Sequence, residues 1–258
     1  MRVSAQLVSR TLAKVAGYIR HGVSTAKLNE IAEEYIARKG GVPAFKGYGP
    51  RSNPFPGALC ISVNEEVVHG IPGERILNAG DIVSIDCGIH LDGFVGDSAY
   101  TFIVEECDDE TMALLKRTIE SLYLGIEQAR HGNKTGDIGN AIQTHCESAG
   151  YGVIRELVGH GVGRNLHEDP AIPNYGKPGR GKRLRSGTTL AVEPMITMGG
   201  REIKTLKDGW TIKTADGKRS AHYEHDIVVR EGEADILSTF DYIEEITKIQ
   251  IDSIVTHG

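Results

Sequence analysis

Two stretches of this chain repeat each other at a fixed distance. "IRHGVSTAKLNEIAEEYIARKGGV", residues 19–42, aligns with "ARHGNKTGDIGNAIQTHCESAGYGV", residues 129–153, at an offset of 110 positions. Arg20-His21-Gly22 matches Arg130-His131-Gly132, Thr25 matches Thr135, Leu28 matches Ile138, and Gly40 matches Gly150. Each copy reads as the end of one helix, a glycine stop, and a second helix that starts near the threonine. The register holds over about twenty residues, which predicts two related halves. We expect one catalytic domain over residues 1–258, with halves at roughly 1–107 and 108–258. The repeat also settles how to read the first helix. No acidic residue precedes Glu30, and Arg2, Arg10, Lys14 and Arg20 follow an amphipathic pattern, a composition shared with mitochondrial transit peptides. As a member of the repeat, the segment is expected to be part of the fold.

Each half carries strand material after its helices. "DIVSIDCGIHLDGFVGDSAYTFIVEE" alternates in hydrophobicity around Asp92-Gly93, a strong two-residue hairpin signal. "WTIKTADGKRSAHYEHDIVVREG" predicts a second hairpin around Asp216-Gly217. Two helices and a hairpin, twice, give an α+β fold with helices covering one face of an antiparallel sheet and chemistry on the other. With 258 residues, 40% hydrophobic and 25% charged, the chain can bury a full core. A net charge of −6 argues against a general binder of DNA or other polyanions. No apolar run reaches the ~18 residues a membrane span needs. Cys60, Cys87, Cys107 and Cys146 form no C-x-x-C pair and read as reduced thiols of a cytoplasmic protein.

The first hairpin places two carboxylates together. With Asp92-Gly93 as the turn, Leu91 pairs with Phe94 and Asp86 with Ala99, so Asp97 is a diagonal neighbour of Asp86 on one face. Val83, Ile85, Cys87 and Ile89 then occupy the face toward the helices. Two ionised aspartates so close repel unless a cation lies between them. Glu193, at the end of the apolar run "TTLAVEPMI" and held extended by Pro194, and Glu224 in "SAHYEHDIVV" are two more carboxylates in strand-like surroundings, costly to bury without a partner. "VGHGVGRNLHEDP", residues 158–170, adds His160 and His167 in a run whose glycines disfavour a helix and let something approach the backbone closely. Two Asp, two Glu and one His make an oxygen-rich set suited to two divalent ions such as Mn, Fe or Co, which together can activate water for hydrolysis.

These stretches, with "NEEVVHGIP" around His69, "AVEPM" and "YEHDIVV", resemble the type I methionine aminopeptidases in order and spacing over nearly the whole chain. The resemblance implies the pita-bread fold with pseudo-twofold halves. It also implies removal of the initiator methionine from nascent polypeptides with a small second residue. It makes Asp86, Asp97, His160, Glu193 and Glu224 the ligands of two divalent ions, with Asp97 and Glu224 bridging. Asp86 would then hold one ion, and His160 and Glu193 the other. Glu193 would also be the general base, with His69 and His167 contacting the substrate and the tetrahedral intermediate. Tyr48, Phe55, Cys60, Leu166 and Trp210 would line the methionine pocket, with His69 at its edge; an apolar slot suits a thioether. The chain departs from the family pattern in "GPRSNPFPGALC", longer than the usual link between Tyr48 and Cys60, and in starting at "MRVSAQ" where relatives carry a short lead-in. The expected protein is a cytoplasmic monomer.

Other readings are a non-catalytic relative binding protein or RNA, whose mark would be lost ligands, and a prolidase-like dipeptidase, which usually carries a large extra N-terminal domain. A type II enzyme would need a helical insertion in the second half. His21 and His131 read as helix-end residues, His90 as solvated, and His222 and His225 as residues that bracket Glu224, with support of the ligand set by one of them as the lesser alternative. "GKPGRGKRLRSG", with Lys177, Arg180, Lys182, Arg183 and Arg185, reads first as a solvated loop and alternatively as a transient contact with ribosomal RNA.

Overall fold

The structure, a computed structural model, describes residues 1–248. Its elements begin with α1 (Arg2–Ala16), α2 (Thr25–Arg38), β1 (Val42–Pro43), β2 (Cys60–Val63), β3 (Glu66–Val68), β4 (Ile82–Leu91) and β5 (Phe94–Ile103). There follow α3 (Asp109–Glu127), α4 (Thr135–Glu147), β6 (Gly152–Val153), β7 (Gly159–Gly161), β8 (Glu168–Ile172), β9 (Thr189–Val192) and β10 (Met195–Thr197). Then come β11 (Ile203–Thr205), β12 (Ile212–Thr214), β13 (Ser220–His222), β14 (His225–Val228), β15 (Asp235–Ile236) and α5 (Asp241–Thr247). Helices α2 and α4 therefore start 110 positions apart, and both start at a threonine. Ser24 caps α2 by accepting from the Lys27 amide, whereas Asp137 reaches back to the Lys134 amide at the start of α4.

β4 and β5 form an uninterrupted ladder from Ile82↔Ile103 to Leu91↔Phe94, closed by Asp92 and Gly93 at positive φ (52° and 79°), as a primed two-residue turn requires. β1 and β2 share the other edge of β4. The helix-facing residues Val83, Ile85, Cys87 and Ile89 are fully buried in one core with Leu12 and Ile36 below and with Leu114, Ile119, Leu190 and Ile227 of the second half. One hydrophobic cluster thus runs beneath both halves.

The second half folds differently from its sequence pattern. β12 and β13 flank Asp216-Gly217 but do not pair with each other: β12 lies between β11 and β3, while β13 pairs with β10. The turn is real, with Gly217 at φ 77°, but it carries the chain from one sheet to another. The ladder that matters is formed by β9 and β10 against β14 and β13. Val192 pairs with His225 and Met195 with His222, so Glu193-Pro194 lies opposite Tyr223-Glu224 in a gap between two sheets. A proline has no N–H to give a ladder, and the pairing stops there.

That gap is filled from the first half. The Glu224 amide donates to Ala99 O (2.9 Å), and the Ser98 hydroxyl donates to Glu224 O (2.6 Å). Thr101 Oγ1 donates to His222 O and accepts from the His222 amide (2.8 and 2.9 Å). The Asp97 amide donates to Asp226 Oδ2 (2.8 Å). The free edge of β5 is stitched to residues 222–226, and the buried backbone groups of the gap are satisfied.

Candidate active site

Asp86, Asp97, His160, Glu193 and Glu224 line one cavity of about 120 Å³ together with Phe45, Tyr48, Phe55, Cys60, His69, Leu166, His167 and Trp210. Every residue named above for catalysis, metal or substrate is in this group. Phe45 joins them without having been expected; "VPAFKGY" held only one more apolar residue in a turn-rich run, with nothing to mark its partners. The aspartates come from the intact ladder, where Asp86 pairs with Ala99 and Asp97 with Gly88. The glutamates come from the gap in the other. β7 brings His160 in between β8 and β9. Gly161 is needed there: a Cβ on it would lie 2.3 Å from Asp169 O, so only glycine allows strands this close. His69 follows β3 in the left-handed region, φ 57°, the kind of strain that persists where the surroundings fix it.

Oxygens and nitrogens converge. Ligand atoms of Asp97, His160 and Glu224 all lie within 4.8 Å of one another. His160 Nε2 is 3.5 Å from Glu193 Oε1 and 3.9 Å from Asp97 Oδ2, and His222 Nε2 is 3.5 Å from Glu193 Oε2. His160 Nδ1 lies 2.9 Å from Gly161 O. A carbonyl can only accept, so Nδ1 carries the proton and Nε2 offers a lone pair toward the carboxylates.

The charges do not balance within the protein. Burial pushes Asp86 and Glu193 up to about 7, and raises Asp97 and Glu224 well above the usual carboxylate range. Among the described residues, the ion-pair partners of these carboxylates are histidines, and burial lowers His160 and His222. His69 falls to about 4, and His167 is lowered by burial and then by His69. Neutral imidazoles do not compensate four carboxylates. Asp86 Oδ1 and Asp97 Oδ1 are buried without a hydrogen-bond partner, a cost a protein accepts where something else fills the place. The donor set fits divalent cations.

Beside the carboxylates lies an apolar slot. Phe45, Phe55, Cys60 and Leu166 form a second buried cluster, against which Trp210 packs. Phe55 meets Trp210 edge-on at 5.3 Å between centroids, and His69 also meets it edge-on at 6.2 Å. Phe55, expected at this position, is buried and lines the cavity.

The fold and this donor set define a metal-dependent peptidase of the pita-bread architecture. The chain belongs to metallopeptidase family M24, whose sequence profile matches residues 1–231. It is 49% identical to methionine aminopeptidase 1 of Bacillus subtilis over 92% of this chain and 94% of that one. The crystal structure of methionine aminopeptidase from Thermotoga maritima superposes with a TM-score of 0.89 at 44% identity, covering 93% of this chain and 95% of that one. An Xaa-Pro dipeptidase from Bacillus anthracis shares the fold alone, with a TM-score of 0.73 at 19% identity; the match covers 92% of this chain and 59% of that one.

Proposed function

We propose that the protein removes the initiator methionine from nascent polypeptides whose second residue is small, acting as a monomer in the cytoplasm. The observation that carries this reading is the joining, in one cavity, of four uncompensated carboxylates to an apolar slot of thioether character. Asp97 and Glu224 would bridge two divalent ions, Asp86 completing one site and His160 with Glu193 the other. Co, Mn or Fe in those sites would supply Lewis acidity to water and to the scissile carbonyl. Glu193, whose Oε1 lies 3.5 Å from His160 Nε2, takes the proton from the attacking water and passes it to the leaving amine. His167 and His69, both neutral, donate hydrogen bonds to the oxygen on which charge develops. Phe45, Phe55, Cys60, Leu166 and Trp210 hold the methionine side chain and keep water away from it.

The test is hydrolysis of Met-Ala-Ser by the metal-reconstituted enzyme, set against Leu-Ala-Ser, Met-Lys-Ser and N-acetyl-Met-Ala-Ser. Met-Ala-Ser is cleaved fastest. Discrimination of about 1–3 kcal/mol per methylene-scale change leaves an N-terminal norleucine cleavable but slower. Cleavage of the acetylated peptide at a comparable rate would remove the aminopeptidase assignment. Lys177, Arg180, Lys182, Arg183 and Arg185, all exposed, form the face proposed to touch ribosomal RNA transiently. Co-sedimentation with ribosomes should fall steeply with salt; neutral substitutions that leave it unchanged at low salt would reduce the segment to a solvated loop.

A further inference from the structure

Tyr48 stands at the rim of the cavity on a loop with closed ends. The Phe55 amide donates to Tyr48 O (2.9 Å) and the Gly47 amide to Phe55 O (2.8 Å). Between them the loop is braced against Trp210: the indole N–H donates to Asn53 O (3.0 Å), and Asn53 Nδ2 donates to Asp208 O (2.9 Å). Gly49, at φ 93°, lies so close that a Cβ there would be 2.4 Å from the indole ring. The braced segment is the start of "GPRSNPFPGALC". It holds Tyr48 in place although the residue is 42% exposed.

The Tyr48 hydroxyl lies 2.6 Å from Nδ1 of His167. His167 also packs its ring on that of His160, with centroids 4.3 Å apart. One ring nitrogen is thereby occupied from the rim of the cavity, and Nε2 is left for what enters. A neutral imidazole has a single N–H, and a hydrogen bond at one nitrogen decides which carries it. If Nδ1 accepts from the phenol, the proton sits on Nε2.

We propose that Tyr48 is a positioning residue for His167: its hydroxyl donates to Nδ1, fixes the tautomer protonated on Nε2, and so aims an N–H at the substrate carbonyl. The proposal rests on the aminopeptidase reading for its kinetic effect, but not for the state of the ring. Tyr48→Phe keeps the ring that lines the pocket and removes only the hydroxyl. On Met-Ala-Ser it lowers kcat about 10-fold, as for one lost hydrogen bond, with KM changed less than about twofold. In a His167→Ala background the same substitution costs nothing further, the non-additivity of residues acting as a unit. The 15N spectrum of the zinc-loaded full chain, with His167 assigned by its loss in His167→Ala, shows Nε2 protonated and Nδ1 as a hydrogen-bonded acceptor. In Tyr48→Phe the Nδ1 signal moves toward the unbonded position. An equal loss with and without His167, a loss confined to KM, or a proton found on Nδ1 would each overturn the proposal. If the wild-type enzyme does not cleave Met-Ala-Ser, the aminopeptidase reading fails and the spectrum alone decides the Tyr48 contact.

Discussion

The two halves each bring two carboxylates to the site, by opposite means. In the first, Asp86 and Asp97 project from a ladder paired without interruption along its length. In the second, Glu193 and Glu224 face each other where a ladder breaks between Val192↔His225 and Met195↔His222. The short side chains come from the rigid ladder and the long ones from the gap. At the break, β5 of the first half supplies hydrogen bonds through Ala99, Ser98 and Thr101. The regular hairpin is therefore the template on which the irregular one is held open.

The largest effect tests whether both halves are needed for the ions. Asp97→Ala and Glu224→Ala should each lower turnover by more than about 10³-fold, beyond the loss of a single hydrogen-bond donor, and each should lower metal content measured by elemental analysis. If Asp97→Ala keeps two ions and Glu224→Ala does not, the halves are unequal and the bridging assignment falls. Next comes the template itself. Thr101→Val keeps shape but leaves the amide and carbonyl of His222 and the hydroxyl of Ser84, 2.8 Å from Thr101 Oγ1, without their partner. Urea denaturation should show a loss of about 2–3 kcal/mol, with weaker metal binding. Unchanged metal affinity would mean the gap holds its shape unaided.

Proton linkage gives a smaller effect with a definite sign. Asp86 and Glu193 keep their protons to about 7 in the folded chain, whereas unfolded carboxyls release theirs near 4. Between those values the folded state binds more protons, so stability of the chelated protein is full below about pH 4 from this source. It is lost as pH rises through 7, at up to about 1.4 kcal/mol per pH unit for each group. Melting of the metal-free protein should accordingly improve on going from pH 8 to pH 6, and saturating metal, which binds the ionised carboxylates, should reverse that order. The same order with and without metal would show that these carboxyls do not hold the ions. The smallest effect is expected from Ser98→Ala, which removes one donor to Glu224 O and should cost about 1 kcal/mol by urea denaturation. A loss as large as that of Thr101→Val would mean that single stitch carries the gap.

The same contrast explains what the sequence made legible. The first hairpin could be read residue by residue because Asp92-Gly93 fixes both turn and register, and the diagonal aspartates followed. The strands around Asp216-Gly217 alternate equally well, but alternation specifies a face and not a partner. β12 turns back on β11, just before it, and on β3 of the first half, while β13 takes β10, and the expected hairpin is absent. Glu193 and Glu224 were visible as misplaced carboxylates, whereas the gap that brings them together was not. The resemblance to a known family supplied pairing that local pattern lacks. Phe45 and the contact between Tyr48 and His167, 119 positions apart, leave no local trace of any kind.

Because each half contributes two of the four carboxylates, an ion held as proposed would be a non-covalent staple between segments more than a hundred residues apart. With the ligands proposed above, opening the first half would discard Asp86 and Asp97, opening the second would discard His160, Glu193 and Glu224, and either would release the ion. Closing around it draws stability from metal concentration, as any ligand of the folded state does. A chain deprived of metal would lose that contribution and open more often to proteases, which act on the open form. The lifetime of this protein, and not only its rate, would then follow the metal supply around it.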